Sequence, residues 1–249
     1  GPSLEAAFEE VRAALGERGV VPGRVVRQES LLRIQLGGRQ ALARPAGRLL
    51  HDAAGAEALP VIGDWVAVSA PEGGGVGLIH AVLPRHSALL RRAADTDSEA
   101  QVIAANVDLV FVVSGLDAPL NPRRIERMLA LVAQSGARPA IVLTKSDLAP
   151  DLGAAMRKAT AIAPDVPVLV VSVPLDRGVR SLREEIRPGE TAVLLGPSGV
   201  GKSTLTNALI GEAALATSEV READRRGRHT TTHRQLFVLG GGGMIIDGP

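Results

Sequence analysis

The octapeptide Gly196, Pro197, Ser198, Gly199, Val200, Gly201, Lys202, Ser203 carries the most specific chemistry in this 249-residue chain. Its pattern, GxxxxGK[ST], describes a loop whose glycines let successive backbone N–H groups converge on phosphate oxygens. The positive end of a following helix points at the same anion. Lys202 is spaced to contact β- and γ-phosphates, Ser203 to ligate Mg²⁺ through its hydroxyl, and Thr204 opens the helix. The context agrees: Thr191 to Leu195 reads as a buried strand before the loop and Thr204 to Ile210 as helix after it. The plain alternative, a glycine-rich turn with no ligand, does not account for the full motif in this setting.

A second element lies upstream. Thr144, Lys145, Ser146, Asp147 follows the apolar run Pro139 to Leu143, which puts it at a strand's carboxyl end, where open α/β sheets bind ligands. Asp147 can accept hydrogen bonds from the N1–H and exocyclic amine of guanine. Adenine, with an acceptor at N1 and no amine at C2, leaves that carboxylate unpaired. The Lys145 stem can cover the base. A further strand exit at Ser172 and Val173 ends the run from Pro167 and can offer a backbone N–H to the guanine O6. Alone, a Thr-Lys-x-Asp or a strand-end serine is more often solvated loop. Composition adds weight: of 28 basic residues only Lys145, Lys158 and Lys202 are lysines, and two of those three occupy the motif positions where a compact ammonium on a straight stem matters.

Downstream come Gly227, Arg228, His229, Thr230, Thr231, Thr232, and then Met244 to Asp247 closing a strand. One of Thr230, Thr231 and Thr232 can complete the Mg²⁺ shell, and Asp247 is placed like the acid on the metal-side strand of phosphate-loop nucleoside triphosphatases. Three threonines in a row are equally a β-prone edge strand. His229, beside them, can orient an attacking water or contact RNA from a loop.

These groups need scaffolding of two kinds. Leu4 to Leu15 has the pattern of a short amphipathic helix within an N-terminal extension, 1–20. From 21 to 92 short β-prone stretches alternate with glycine turns (Arg24 to Gln28, Leu31 to Leu36, Trp65 to Ser69, Val76 to Leu83), which predicts a small barrel. Residues 93–107 are expected to be linker. From 108 to 249 strands alternate with helices, including one capped by Asn121 and started by Pro122, so a mostly parallel α/β sheet is predicted.

Net charge is only +1. Locally, Arg24, Arg27, Arg33, Arg39, Arg44 and Arg48 face a single acid, Glu29, over the first strands, and Arg221, Arg225, Arg226, Arg228 and Arg234 surround His229. Such runs are commonly solvated surface. If the barrel set binds RNA, Phe8 and Trp65 are too few for base stacking and phosphate contacts must supply the affinity. His51, His80, His86 and His233 show no metal spacing. No apolar run approaches a bilayer span, and the acidic start lacks a signal-peptide charge, so a cytoplasmic protein is expected.

The order Thr-Lys-Ser-Asp, Val-Ser-Val, GPSGVGKST, GRHTTT, Asp247 is the reverse of an ordinary small GTPase, whose phosphate loop comes first. In this it resembles the circularly permuted, ribosome-associated GTPases known as RsgA or YjeQ, over nearly the whole chain. The resemblance implies an OB-fold barrel that binds rRNA and a slow GTPase stimulated by the small ribosomal subunit, acting late in that subunit's maturation. It further implies GTP or GDP with Mg²⁺ as ligands, His229 as a catalytic residue, and a monomer without membrane partners. Thr144 departs from the family's usual asparagine. Family members also carry a C-terminal zinc domain; with zero cysteines, no zinc site of that kind can form here. The Gly1, Pro2 start and an end at Asp247, Gly248, Pro249 in mid-motif are expected of a truncated protein. An ATP-using phosphate-loop enzyme and a nonhydrolysing RNA adaptor with a structural nucleotide also remain compatible with parts of the pattern.

Overall fold

The computed structural model describes residues 3–16, 19–53, 55–69, 71, 73–91, 101–214 and 234–247. Its contacts divide into two units, one of residues 1–106 with 233–236 and one of residues 107–232 with 237–249.

The first unit opens with α1 (Leu4–Leu15). Ser3 caps it by accepting the Ala6 N–H at 3.2 Å, and Gly16 ends it in the left-handed region at φ 59°. Phe8 then packs on Val20, Ala67 and Leu83. Five strands follow: β1 (Val21–Gln28), β2 (Leu32–Leu36), β3 (Arg39–Pro45), β4 (Trp65–Ser69) and β5 (Val76–Val82), with a short helix α2 (Gly47–Asp52) after β3. They pair in the order β1-β2-β3-β5-β4, and β4 pairs back onto β1, which closes a five-stranded barrel of the expected OB type. Alternation explains the closure. Leu32, Ile34 and Leu36 of β2 point inward to Val25, Ala43, Val66, Val68 and Ile79, while Arg33 and Gln35 between them stay partly exposed.

An antiparallel pair, β6 (Ala88–Arg91) and β7 (Gln101–Ala105), completes this unit. The expected linker at 93–107 is therefore corrected at 101–105: Val102 and Ala105 bury against Val61, a gain that an apolar run in a solvated linker would forgo. A buried polar knot fastens the same region. Asp64 is fully buried; the Arg85 Nε and Nη2 donate to its two carboxylate oxygens, both at 2.7 Å, and the Val61 N–H donates at 2.8 Å. Burial still pushes the Asp64 carboxyl above its ordinary value, against the pull of Arg85.

The second unit alternates strand and helix: β8 (Leu109–Gly115), α3 (Pro122–Ser135), β9 (Arg138–Thr144), α4 (Leu152–Ile162), β10 (Val168–Val170), α5 (Val179–Glu184), β11 (Thr191–Leu195) and α6 (Lys202–Ala214). Past the undescribed stretch come β12 (Arg234–Val238), whose residues 234–236 belong to the first unit, where Gln235 lies opposite Arg27 of β1, and β13 (Met244–Asp247). The sheet of the second unit runs β10-β9-β8-β11-β13 and every pairing in it is parallel. Its strands are near-continuous apolar runs because helices cover both faces. Leu109, Phe111, Val113, Val142 and Leu194 form the core with Leu205 and Leu209 of α6. Helix α3 begins as its residues dictate, with the Asn121 Oδ1 accepting the Arg124 N–H at 3.1 Å and Pro122 in the first turn. Parallel pairing brings the carboxyl ends of all five strands to one edge. No helix among the described residues is long and apolar enough to cross a membrane.

Candidate functional site

At that edge β11 delivers the phosphate loop, β9 the Thr-Lys-Ser-Asp segment, β10 the segment holding Ser172 and Val173, and β13 Asp247. Gly196 is required by space: a Cβ there would lie 2.7 Å from the backbone oxygen of Val113 and 3.2 Å from the Val200 side chain. Only a glycine lets the loop cross so close over β8. Lys202 opens α6 and folds back over the loop, its Nζ donating to the carbonyls of Gly196 at 2.8 Å and Pro197 at 3.0 Å. Ser203 and Thr204, in the first turn of the helix, are exposed.

The two motifs, far apart in sequence, are joined by direct bonds. The Thr144 hydroxyl donates to the Val200 carbonyl at 2.6 Å, and the Lys145 Nζ donates to the Gly199 carbonyl at 2.7 Å and to the Asp117 carboxylate at 2.6 Å. In a trans peptide C=O and N–H point opposite ways. With those carbonyls turned toward Thr144 and Lys145, the N–H groups of Val200 and Gly201 face away, the orientation a phosphate-binding loop needs. The threonine that departs from the family's asparagine thus still grips the loop through its hydroxyl.

Asp147 sits in a 3-10 turn (Ser146–Leu148) held to the next strand end by the Ser146 N–H donating to the Val171 carbonyl at 3.2 Å. The buried Ser172 hydroxyl donates to the Asp147 Oδ1 at 2.5 Å, which fixes the carboxylate's direction. The backbone N–H of Ser172 is committed to the Arg177 carbonyl at 3.0 Å, and Val173 packs against the sheet core. Ser172 therefore orients the Asp147 carboxylate through its side chain, a part the sequence reading did not give it.

Lys202 and Asp247 lie near enough for their charges to act on each other. Burial lowers the pKa of Lys202 against the pull of Asp247, and raises that of Asp247 against the pull of Lys202. A hydroxyl at Ser203 and a carboxylate at Asp247 on the strand beside β11 are hard oxygen donors, the set that suits Mg²⁺. No group of three or more His, Asp or Glu side chains able to hold a metal by themselves occurs among the described residues. His229, Thr230, Thr231 and Thr232, with Arg221, Arg225, Arg226, Arg228 and the Gly248, Pro249 end, lie outside the described residues.

The barrel arginines do not form the single surface that their sequence spacing suggested. Arg24 is buried, a correction to its place in the RNA-binding set. Its Nε donates to the Gly63 carbonyl and its Nη2 to the Asn106 carbonyl, both at 3.3 Å, and its guanidinium stacks 5.4 Å from the Trp65 ring centre. Strand alternation points Arg24 outward beside Gln35, but the segments carrying Gly63 and Asn106 cover it. Arg27 and Arg33 are cross-strand neighbours on the outer face, Arg27 with an ion pair to Glu29 at 2.5 Å. Arg33 lies opposite Leu42, two residues before Arg44 on β3, so Arg27, Arg33 and Arg44 share that face. Arg39 is exposed at the start of β3, and Arg48 pairs with Asp52 on α2 at 3.4 Å.

Asp117 is the site residue that sequence reasoning missed. Gly115 lies opposite Thr144 in the β8–β9 register, so an acid two residues past one strand end meets the lysine one residue past the other. An acid just beyond an apolar strand was the available signal; the strand order needed to use it was not.

Comparison with known proteins agrees with this geometry. Residues 82–249 match the protein family described as RsgA GTPase. The chain is 46% identical over 239 residues to the small ribosomal subunit biogenesis GTPase RsgA of Opitutus terrae, covering 92% of this chain and 65% of that one. With the protein of the same name from Syntrophotalea carbinolica it is 44% identical over 255 residues, covering 99% of this chain and 68% of that one. It thus spans about two thirds of the length of these curated relatives. Among solved structures, YjeQ from Thermotoga maritima superposes with a TM-score of 0.66 at 25% identity, over 92% of this chain and 74% of that one. A structure described as YloQ, a circularly permuted GTPase, shares the fold at a TM-score of 0.60 and 19% identity. Motif order, strand order and these likenesses together make the chain a member of the RsgA GTPase family.

Proposed function

We propose that this chain binds a guanine nucleotide with Mg²⁺ at the carboxyl edge of the second unit's sheet, hydrolyses GTP, and acts in maturation of the small ribosomal subunit. The observation that carries the reading is the pair of bonds from Thr144 and Lys145 to the carbonyls of Val200 and Gly199, which make base-reading and phosphate-binding elements one cleft. Within it Asp147, aimed by Ser172, accepts from the guanine N1–H and 2-amine, the Val173 N–H donates to O6, and the Lys145 stem covers the base. Gly196 to Gly201 surround the phosphates with backbone N–H groups and Lys202 neutralises their charge. Ser203 and Asp247, with one of Thr230, Thr231 and Thr232, hold the Mg²⁺, which supplies charge neutralisation at the transferred phosphoryl group. His229 orients the attacking water.

The partner is proposed from the names of the relatives, each a small ribosomal subunit biogenesis GTPase. Arg27, Arg33 and Arg44 on the barrel's outer face offer rRNA phosphates a compact basic surface, and binding through them falls steeply with salt. The test is GTP turnover by the chain, alone and with isolated small subunits. The proposal expects subunits to raise turnover and His229→Ala to abolish the rise while leaving GDP affinity intact. Tight GDP binding with no turnover under either condition favours a nonhydrolysing adaptor instead.

A further inference from the structure

We infer that Asp117 is a positioning residue for the nucleotide base, holding the Lys145 ammonium against the phosphate loop so that the lysine stem stands as a fixed wall beside Asp147. The inference rests on the guanine-nucleotide reading above and adds to it a residue outside all the motifs.

Lys145 is one of three non-glycine residues at positive φ among the described residues, at 54°, a conformation that costs a residue with a Cβ and persists only where its surroundings impose it. Two acceptors hold the head of its side chain: the Asp117 Oδ2 at 2.6 Å and the Gly199 carbonyl at 2.7 Å. The carbonyl is neutral, so among the described residues Asp117 is the acid that gives the ammonium a counter-charge, and a charge-assisted bond of this length is the stronger of the two. The bond in turn holds the Asp117 carboxyl below its ordinary value.

The loop bearing Asp117 is itself anchored. Its Leu116 N–H donates to the Thr144 carbonyl at 2.9 Å, and the Lys158 Nζ donates to the Leu120 carbonyl at 3.3 Å. A lysine stem pinned at its head by an anchored acid has lost its rotamer freedom before any base stacks on it, and that ordering no longer opposes binding.

Gly115 gives an independent handle. A Cβ there would fall 2.5 Å from the Asp117 Oδ1, so the carboxylate rests where a side chain at 115 would be. The φ of Gly115 is not positive, so alanine suits its backbone and displaces only the carboxylate.

Binding of a fluorescent GDP analogue to the whole chain tests this, with thermal unfolding measured in parallel. Asp117→Asn and Gly115→Ala are each expected to weaken binding about two- to fivefold, the worth of a part-exposed ion pair, mainly through faster dissociation. Apparent melting should not change. In GTP turnover the same variants raise KM and leave kcat alone. In a Lys145→Met background, which keeps the stem and removes the ammonium, Asp117→Asn has no further effect. Wild-type affinity in both Asp117→Asn and Gly115→Ala overturns the inference, as does an equal Asp117→Asn loss in the Lys145→Met background. A wild-type chain that binds ADP as well as GDP overturns the guanine reading itself, whatever the variants do.

Discussion

Thr144→Val isolates one of the two bonds that join the Thr-Lys-Ser-Asp segment to the phosphate loop. The side chain keeps its shape, but a methyl carbon replaces the hydroxyl that lies 2.6 Å from the Val200 oxygen. Carbon and carbonyl oxygen do not approach closer than about 3.3 Å, so the loop must retreat by about 0.7 Å at Val200, within the proposed phosphate-binding loop. The Val200 carbonyl also loses its donor, a loss that costs about 1–3 kcal/mol where the group is buried. This bond is only part-buried, so the lower half of that range applies. If the cost falls on the binding-competent loop, about 1–2 kcal/mol weakens GDP affinity about 5- to 30-fold. Equilibrium titration with a fluorescent GDP analogue measures it. Thr144→Ser, which keeps the donor, should bind within about twofold of wild type, because no kcal-scale term is removed. Equal GDP affinity in Thr144→Val and Thr144→Ser would show that the hydroxyl bond does not place the loop. A lowered melting temperature with unchanged affinity would mean that the bond serves the fold and not the placement of the loop.

Two other outcomes follow from the geometry. Gly196→Ala brings a Cβ to 2.7 Å from a backbone oxygen of the buried strand β8, so it should cost about 1–3 kcal/mol of stability as overpacking and abolish tight nucleotide binding; differential scanning fluorimetry with and without GDP reads both. Glu190, at the start of β11, is pushed up by burial, but the Arg138 hydrogen bond at 2.6 Å, the Arg187 N–H and both guanidinium charges outweigh this and leave its carboxyl below the ordinary value. A depressed acid contributes stability that is present above its unfolded value and is lost as pH falls through the folded one. Wild type should therefore exceed Glu190→Gln in melting temperature at neutral pH, and the gap should shrink as pH drops below the ordinary glutamate range.

Legibility in the sequence tracked how local each signal was. The strand Thr191 to Leu195, the capped helix at Asn121 and the phosphate loop are written in neighbouring residues and appear where expected. Strand β3 gave no comparable signal because its inward positions, Ala41 and Ala43, are small and its outward ones mix Gln40, Leu42 and Arg44. Arg24 was misjudged because what covers it, Gly63 and Asn106, lies far along the chain. Asp117 and the orienting role of Ser172 depend on which strands are neighbours, a property of the parallel order β10-β9-β8-β11 and of no single segment.

On the proposed function, a carboxylate at Asp147 and an ammonium at Lys202, from distant motifs, serve one guanine nucleotide. Competition against a fluorescent GDP analogue tests it most directly, with GDP, ADP and XDP as competitors for wild type and Asp147→Asn. Wild type is expected to prefer GDP to ADP on the order of 10⁴-fold, as a site built to pair with base-edge donors does. Asp147→Asn should lose GDP and gain XDP, because the new amide donates to the xanthine C2 carbonyl. Equal displacement by ADP and GDP, or an Asp147→Asn variant with unchanged preference, would contradict it.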